Sequence, residues 1–582
     1  MGMKTKRHFI LDENFNYKII KDLSNNELKD LSDDIKELII SRCSEYGGHL
    51  SSNLGITNLT ISLFKCFDVE KDKIIFDIGH NSYAYKILTG RPLKNLRQKN
   101  GTDGFQRIKE SKFDVYDAGH SSTSISAALG FAKSRDLLKE NYNVVCIVGD
   151  GSLENGLCLE ALNNLVIANT KIIIILNDNE MSISPTTGGI SAILKGIRKN
   201  PFVHAIFNDA NFEYFGPVDG DSFKDLKKAI EKAKKAKNSV LLHVKTSKGE
   251  GYQKAEEDIV GEYHFVQPFD IKTGKIKNKV ASNVVSFSKI FSDLVDEDLE
   301  NNEKTIVICP STTVGAKLND VFKKYPDRTF DVGISEEHAA VYSSAFAMNG
   351  FHTYLFMYST FLQRAYDEVI HDICRLNQHV TLCVDRSGLT GQDGETHQGI
   401  YDDGFFFSMP NLVLAMPKDK YDAKRLFDFS KNYKHPFAIR YPAIYEENGV
   451  AIKTEPITEL NWDILLDNSL EKVVVSFGPR INELYEALKN KNISLINALF
   501  LKDYNIENVK NLLKYKSIYI YDPYGIESGF ASNLLLNLNK LNYKGDVKIK
   551  TLPVSFIEKG TIKEQEKEFL IDLESSLQWI LS

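Results

Sequence analysis

The chain has 582 residues, a formal net charge of −6 and seven cysteines. That length exceeds a single hydrophobic core and calls for several domains. The mild acidity, with no basic arm or stripe, excludes nucleic acid as a natural partner, and no apolar run is long enough to span a bilayer.

In chain order, strand-like apolar runs fall at 73–77, 143–148, 171–176, 239–244, 304–309, 380–384 and 472–476. Each ends in a Gly, Asp, Asn or Ser turn, and a helical pattern follows. That alternation predicts an α/β chain whose sheets are mostly parallel and flanked by helices. Such sheets carry their binding loops at the carboxyl ends of the strands. Polar, proline-containing zones at 258–282 and 443–459 predict three domains, 1–280, 281–450 and 451–582. The first ten residues are basic but lack an apolar core segment, so no secretion signal is expected. The scattered cysteines contain no C-x-x-C and read as reduced thiols, which predicts a cytoplasmic location.

Two segments carry chemistry. The run 144–148 enters Gly149-Asp150-Gly151-Ser152, where glycines allow backbone amides to approach a phosphate and Asp150 offers the hard oxygen magnesium prefers. About thirty residues on, a second strand ends in Asn177-Asp178-Asn179, so Asp150 and Asn179 are expected at one sheet edge. Alone, Gly-Asp-Gly is ordinary turn chemistry; at this spacing from Asn179 it resembles the thiamine-diphosphate signature. Far downstream, Glu336 stands in Ser335-Glu336-Glu337-His338. Nothing in its spacing distinguishes it from a surface or helix-capping acid.

A wider resemblance gives these residues roles. Residues 47–55 (GGHLSSNLG), 77–80 (DIGH), 119–126 (GHSSTSIS), 177–185, 358–366 (YSTFLQRAY), 385–386 and 391–399 (GQDGETHQG) are together similar to the 1-deoxy-D-xylulose-5-phosphate synthase family, over about residues 40–445. The resemblance implies a thiamine-diphosphate-dependent transferase with magnesium. It would join pyruvate to D-glyceraldehyde 3-phosphate with loss of carbon dioxide, giving a precursor of isoprenoids, thiamine and pyridoxal. It also implies a homodimer, which sequence alone does not show. A related ketol transferase with another acceptor aldehyde is the alternative.

Carried over by position, the resemblance implies that His80, His120, Ser121, Ser122, Gly151, Ser152, Asn179, Tyr252, Glu336 and Phe361 contact the cofactor. Asp150, Asn179 and the backbone of Met181 would hold magnesium. Glu336, His49, His397 and Asp393 would serve the reaction, and Tyr358, Arg364, Arg386 and Arg440 the aldehyde's phosphate end. Arginine suits that last task because its planar fork donates two aligned bonds to a phosphate. The chain departs from the family at Ser152-Leu153-Glu154-Asn155, where Glu154 adds a negative charge near the expected diphosphate. It departs again at Asp221, where the family has histidine, and in a shortened stretch over 194–212.

Overall fold

The computed structural model describes residues 6–180, 188–199, 212–277, 282–447 and 455–582. The chain forms two compact units, one of residues 1–279 with 333–335 and one of 280–332 with 336–582.

The first unit is built on five parallel strands: β1 (Lys73–Phe76), β2 (Val144–Gly149), β3 (Ile173–Asp178), β4 (Phe212–Asp219) and β5 (Ser239–Lys245), in the order β1-β2-β3-β5-β4. Period-two alternation explains the near-continuous apolar runs, because both faces are covered. Ile74, Val145, Ile147, Ile173, Ile175 and Leu242 pack into one layer. Their neighbours Ile75, Val144, Cys146, Val148, Ile174 and Leu241 pack into the other. Since all five strands run the same way, the turns after β1, β2, β3 and β5 emerge at one edge, and these are the turns bearing His80, Asp150, Asn179 and Lys248.

The second unit contains β6 (Val284–Ser286), β7 (Thr305–Ile308), β8 (Thr329–Phe330), β9 (His352–Tyr358), β10 (Val380–Asp385), β11 (Val413–Ala415), β12 (Phe437–Tyr441), β13 (Ile444–Glu446), β14 (Asp463–Leu466), β15 (Lys472–Ser476), β16 (Ser494–Asn497), β17 (Phe500–Lys502), β18 (Ser517–Ile526) and β19 (Asp546–Leu552). Seven form a sheet of order β17-β11-β12-β10-β9-β7-β8, parallel except for β17. Five more form β14-β16-β15-β18-β19, parallel except for β14. β17 follows β16 closely but crosses to the larger sheet, which ties 451–582 to the rest of the unit. β9, β10 and β12 end side by side, bringing Tyr358, Asp385-Arg386 and Arg440-Tyr441 to one edge. The expected α/β class with mostly parallel sheets is therefore the observed one. Each of the seven predicted runs contains or overlaps a strand.

Candidate active site

In the first unit, Asp77 organises the sheet edge. It is buried at the end of β1 and takes the backbone N–H groups of Ser122 (2.8 Å) and Ser124 (3.2 Å) on its two carboxylate oxygens. Ser122 in turn donates its hydroxyl to the Ser152 carbonyl at 2.9 Å, joining the 120–124 loop to the Gly-Asp-Gly turn. Asp150 and Ser152 are buried in that turn, and His120 and Ser121 are half-buried, next to Ser122 in the chain. Beyond β3, Asn177 accepts from the Thr246 hydroxyl (2.9 Å), while Asp178 accepts from the Glu180 amide (3.3 Å) and meets His243 Nε2 at 2.7 Å. These bonds fix the turn from which half-buried Asn179 projects. Met181 lies outside the described residues, as does most of the shortened stretch.

Several backbones here are left-handed without being glycine: Ile78 (φ 61°), Ser122 (φ 75°) and Glu180 (φ 61°). For β-branched Ile78 this is a costly conformation, and such strain persists where the surroundings over-determine it. Gly79 beside it has φ 83°, and a side chain there would meet Ala118 Cβ at 2.7 Å and the Gln106 amide at 2.9 Å.

The histidines His49 and His80 come together, with ring centroids 4.9 Å apart. Fully buried Asn53 holds both loops by donating its amide to the carbonyls of His49 and His80, each at 2.7 Å. A third imidazole, His264, completes the cluster at 5.6 Å from His49 and 5.4 Å from His80. Its Nδ1 is buried and makes no hydrogen bond among the described residues. Burial, then the neighbouring charges of Lys248, His80 and His49, keep this ring neutral well below the usual histidine range. Burial also pushes Lys248 down to about 8, against the pull of Asp258 and Asp150. Neither His264 nor Lys248 stands out in the sequence; both sit in polar stretches that read as turn or linker. Tyr252 spends its hydroxyl on the Ile271 carbonyl (2.8 Å) and packs edge-on against Tyr263.

In the second unit Glu336 opens the helix Glu336–Met348 and is only 4% exposed. Its Oε2 is buried and has no hydrogen-bond partner among the described residues. Burial pushes its carboxyl up to about 7, partly opposed by the positive charge of Arg364. Tyr358 and Phe361 stack at 5.5 Å, and His397 meets Phe361 edge-on at 5.8 Å. The Arg386 guanidinium lies 3.8 Å over the Tyr358 ring, pairs with Asp385 at 3.1 Å and feels the charge of Asp393. The His397 ring is fixed by the Thr396 hydroxyl at 2.8 Å from Nδ1.

Arg440 departs from expectation. It is fully buried, donates to Asp402 through Nη2 (2.8 Å) and Nε (3.2 Å) and to the Tyr524 carbonyl (3.0 Å), and stands 3.4 Å from Asp403. Internal acceptors take Nε and Nη2, and the remaining Nη1 is buried with no hydrogen bond among the described residues. Arg440 compensates charge in the interior instead.

Among the described residues no group of three or more His, Cys, Asp or Glu side chains is arranged to hold a metal ion. One carboxylate and one amide, Asp150 and Asn179, are hard oxygen donors of the kind magnesium takes when a phosphate completes its shell. The unpartnered Glu336 oxygen, held near neutral protonation in an apolar setting, fits a ring nitrogen that shares a proton with it.

Residues 11–206 and 197–246 match the family model described as 1-deoxy-D-xylulose-5-phosphate synthase, and 283–444 match that of the transketolase pyrimidine-binding domain. The 1-deoxy-D-xylulose-5-phosphate synthase of Clostridium acetobutylicum is 37% identical over 98% of this chain and 99% of its own length. That of Listeria monocytogenes is 39% identical over 93% and 92%. A solved transketolase from Campylobacter jejuni covers 97% of this chain at 16% identity, with a TM-score of 0.44. The family models and the two relatives place the chain among the thiamine-diphosphate-dependent transferases. Within that class, it belongs to the 1-deoxy-D-xylulose-5-phosphate synthase family.

Proposed function

We propose that this chain condenses pyruvate with D-glyceraldehyde 3-phosphate, releasing carbon dioxide and forming 1-deoxy-D-xylulose 5-phosphate. The observation that carries the reading is Glu336: a buried carboxyl near neutral protonation with an oxygen left unbonded among the described residues. When bound, thiamine diphosphate supplies the electron sink that lets a keto acid lose carbon dioxide. Glu336 holds a proton against the ring nitrogen of the aminopyrimidine, with Phe361 against that ring. Asp150 and Asn179 would hold magnesium, while Gly151, Ser152, His120, Ser121 and Ser122 would form the diphosphate turn. His80 and Tyr252 border the cofactor.

His49 and His397 hold and return protons at the reacting carbons, a task suited to imidazole at neutral pH. Neutral His264 lies against His49 within the first unit. Arg386 and Tyr358 take the aldehyde's phosphate end, with Arg364 in the same role, and Asp393 serves the reaction. In this reading 1–280 serves the diphosphate and metal, 281–450 the ring, and 451–582 no chemistry. The chain acts as a homodimer. All seven cysteines are buried, which supports a reducing cytoplasmic setting. No helix among the described residues is long and apolar enough to cross a membrane.

Metal dependence tests the first half-site. Protein stripped with a chelator should lose pyruvate consumption and regain it only with magnesium and thiamine diphosphate together. Asp150→Asn should weaken cofactor binding, titrated by tryptophan fluorescence or calorimetry, by more than the roughly 10–100-fold typical of outer-shell losses. Its melting point without cofactor should stay near wild type. Wild-type cofactor affinity in Asp150→Asn would remove the metal assignment.

A further inference from the structure

The phosphate end of the proposed substrate is short of charge. A phosphate monoester carries nearly two negative charges at neutral pH. Arg386, stacked on Tyr358, is already paired with Asp385, and Arg440 is consumed in the interior. Arg364 lends its charge to Glu336, so a further cation is needed, and the backbone around this site points to one.

The loop after β7 runs directly past Arg386 and Tyr358. A side chain placed on Gly315 would meet the Tyr358 hydroxyl at 1.7 Å and Arg386 Nη2 at 3.1 Å, so the loop backbone itself forms a wall of this site. Two residues further on, Lys317 adopts a left-handed backbone (φ 62°), a conformation that a lysine holds only against strain. The strain is imposed by definite bonds. The Ser292 hydroxyl donates to the Lys317 carbonyl at 2.6 Å, and the Leu318 amide closes the turn onto Thr313 at 2.9 Å.

The same helix, Phe287–Asn301, locates Lys317 relative to Arg386. Its Ser288 holds the Asp385 carboxylate at 2.8 Å, and Ser292, one turn later on the same face, holds Lys317. Residues so spaced lie about 5–6 Å apart, within the reach of a lysine side chain. Burial raises the Asp385 carboxyl above the usual range, Arg386 pulls it back, and the Lys317 charge adds to that pull. The Lys317 side chain is exposed and makes no hydrogen bond or ion pair among the described residues. Strain of this kind gathers where a backbone is held for function.

We propose that Lys317 is a specificity-determining residue, the second cation that, with Arg386, recognises the phosphate of the acceptor aldehyde. The assignment rests on the substrate reading above and deepens it. The discriminating variant is Lys317→Gly, which removes the ammonium while relieving the left-handed strain, so it should fold at least as well as wild type; Lys317→Arg keeps the charge. The quantity to read is the preference, the ratio of kcat/KM for D-glyceraldehyde 3-phosphate to that for unphosphorylated D-glyceraldehyde.

Lys317→Gly should lower that ratio about tenfold, as expected for one charge-assisted contact. The change should lie in the KM for the phosphorylated aldehyde, with kcat and the KM for pyruvate holding, and Lys317→Arg should restore most of it. A wild type that prefers the phosphorylated aldehyde, with a Lys317→Gly variant that keeps the same preference, overturns this assignment alone. A wild type with no such preference overturns both the assignment and the substrate reading beneath it.

Discussion

Replacing Glu336 by Gln should lower turnover by about 10²–10⁴-fold, the usual worth of a positioned acid or base, while making the cofactor-free protein more stable at pH 8. The two effects share one cause. Burial raises the Glu336 carboxyl from its ordinary 4.5 to about 7. A folded-state pKa above the unfolded value means that the folded protein binds the extra proton between pH 4.5 and 7. The contribution of Glu336 to stability is therefore undiminished below about pH 4.5 and is lost as pH rises through 7. Above that range the penalty reaches about 3 kcal/mol, because each tenfold change in proton affinity is worth about 1.36 kcal/mol. Glutamine cannot ionise and escapes that penalty. Melting of the cofactor-free proteins should show Glu336→Gln above wild type at pH 8 and level with it near pH 5. Saturating cofactor should narrow or reverse the gap, because only the carboxyl can share a proton with the ring. A variant that is inactive but also less stable at pH 8 would mean that Glu336 is a structural acid.

The second large effect is at Arg440, and there it concerns folding. Arg440→Met leaves Asp402 and Asp403 buried without their counter-charge, beside buried Asp522. Removing one partner of a buried ion pair typically destabilises by about 3–5 kcal/mol, because the orphaned charge cannot be solvated. Burial already pushes the Asp403 carboxyl well up, and Asp522 up to about 6. With the guanidinium gone both shift further, so the loss should be larger at pH 8 than at pH 5. Asp403→Asn in the same chain should recover part of it. Urea unfolding of the three proteins at both pH values measures this. A stable Arg440→Met protein with a selectively raised KM for the phosphorylated aldehyde would give Arg440 the phosphate contact instead.

The contrast between these residues shows what a sequence can and cannot carry. The sheets are legible because burial on both faces demands unbroken apolar runs, and 144–148 and 171–176 could be little else. Asp150 and Asn179 are legible because parallel strands deliver their ends to one edge, so spacing along the chain becomes proximity in space. Glu336 is marked only by family resemblance. Its burial depends on what surrounds the start of its helix, and nothing local encodes that. The internal partners of Arg440 are hidden for the same reason. Its partners lie 38 positions upstream at Asp402 and 84 downstream at Tyr524. His264 acts through long-range packing that has no period and no motif, and Asn53, within the 47–55 run, is marked only by family resemblance. Lys317 is invisible as a letter, and only its backbone conformation draws attention to it.

The central claim is the condensation itself, and product analysis reaches it directly. Purified protein, magnesium, thiamine diphosphate, carbon-13-labelled pyruvate and D-glyceraldehyde 3-phosphate should give the nuclear magnetic resonance signals of labelled 1-deoxy-D-xylulose 5-phosphate. Those signals should vanish when any one of the four additions is left out. Carbon dioxide release with acetolactate or acetaldehyde in place of the sugar phosphate would contradict the proposed acceptor, and pyruvate left unconsumed would contradict the activity altogether.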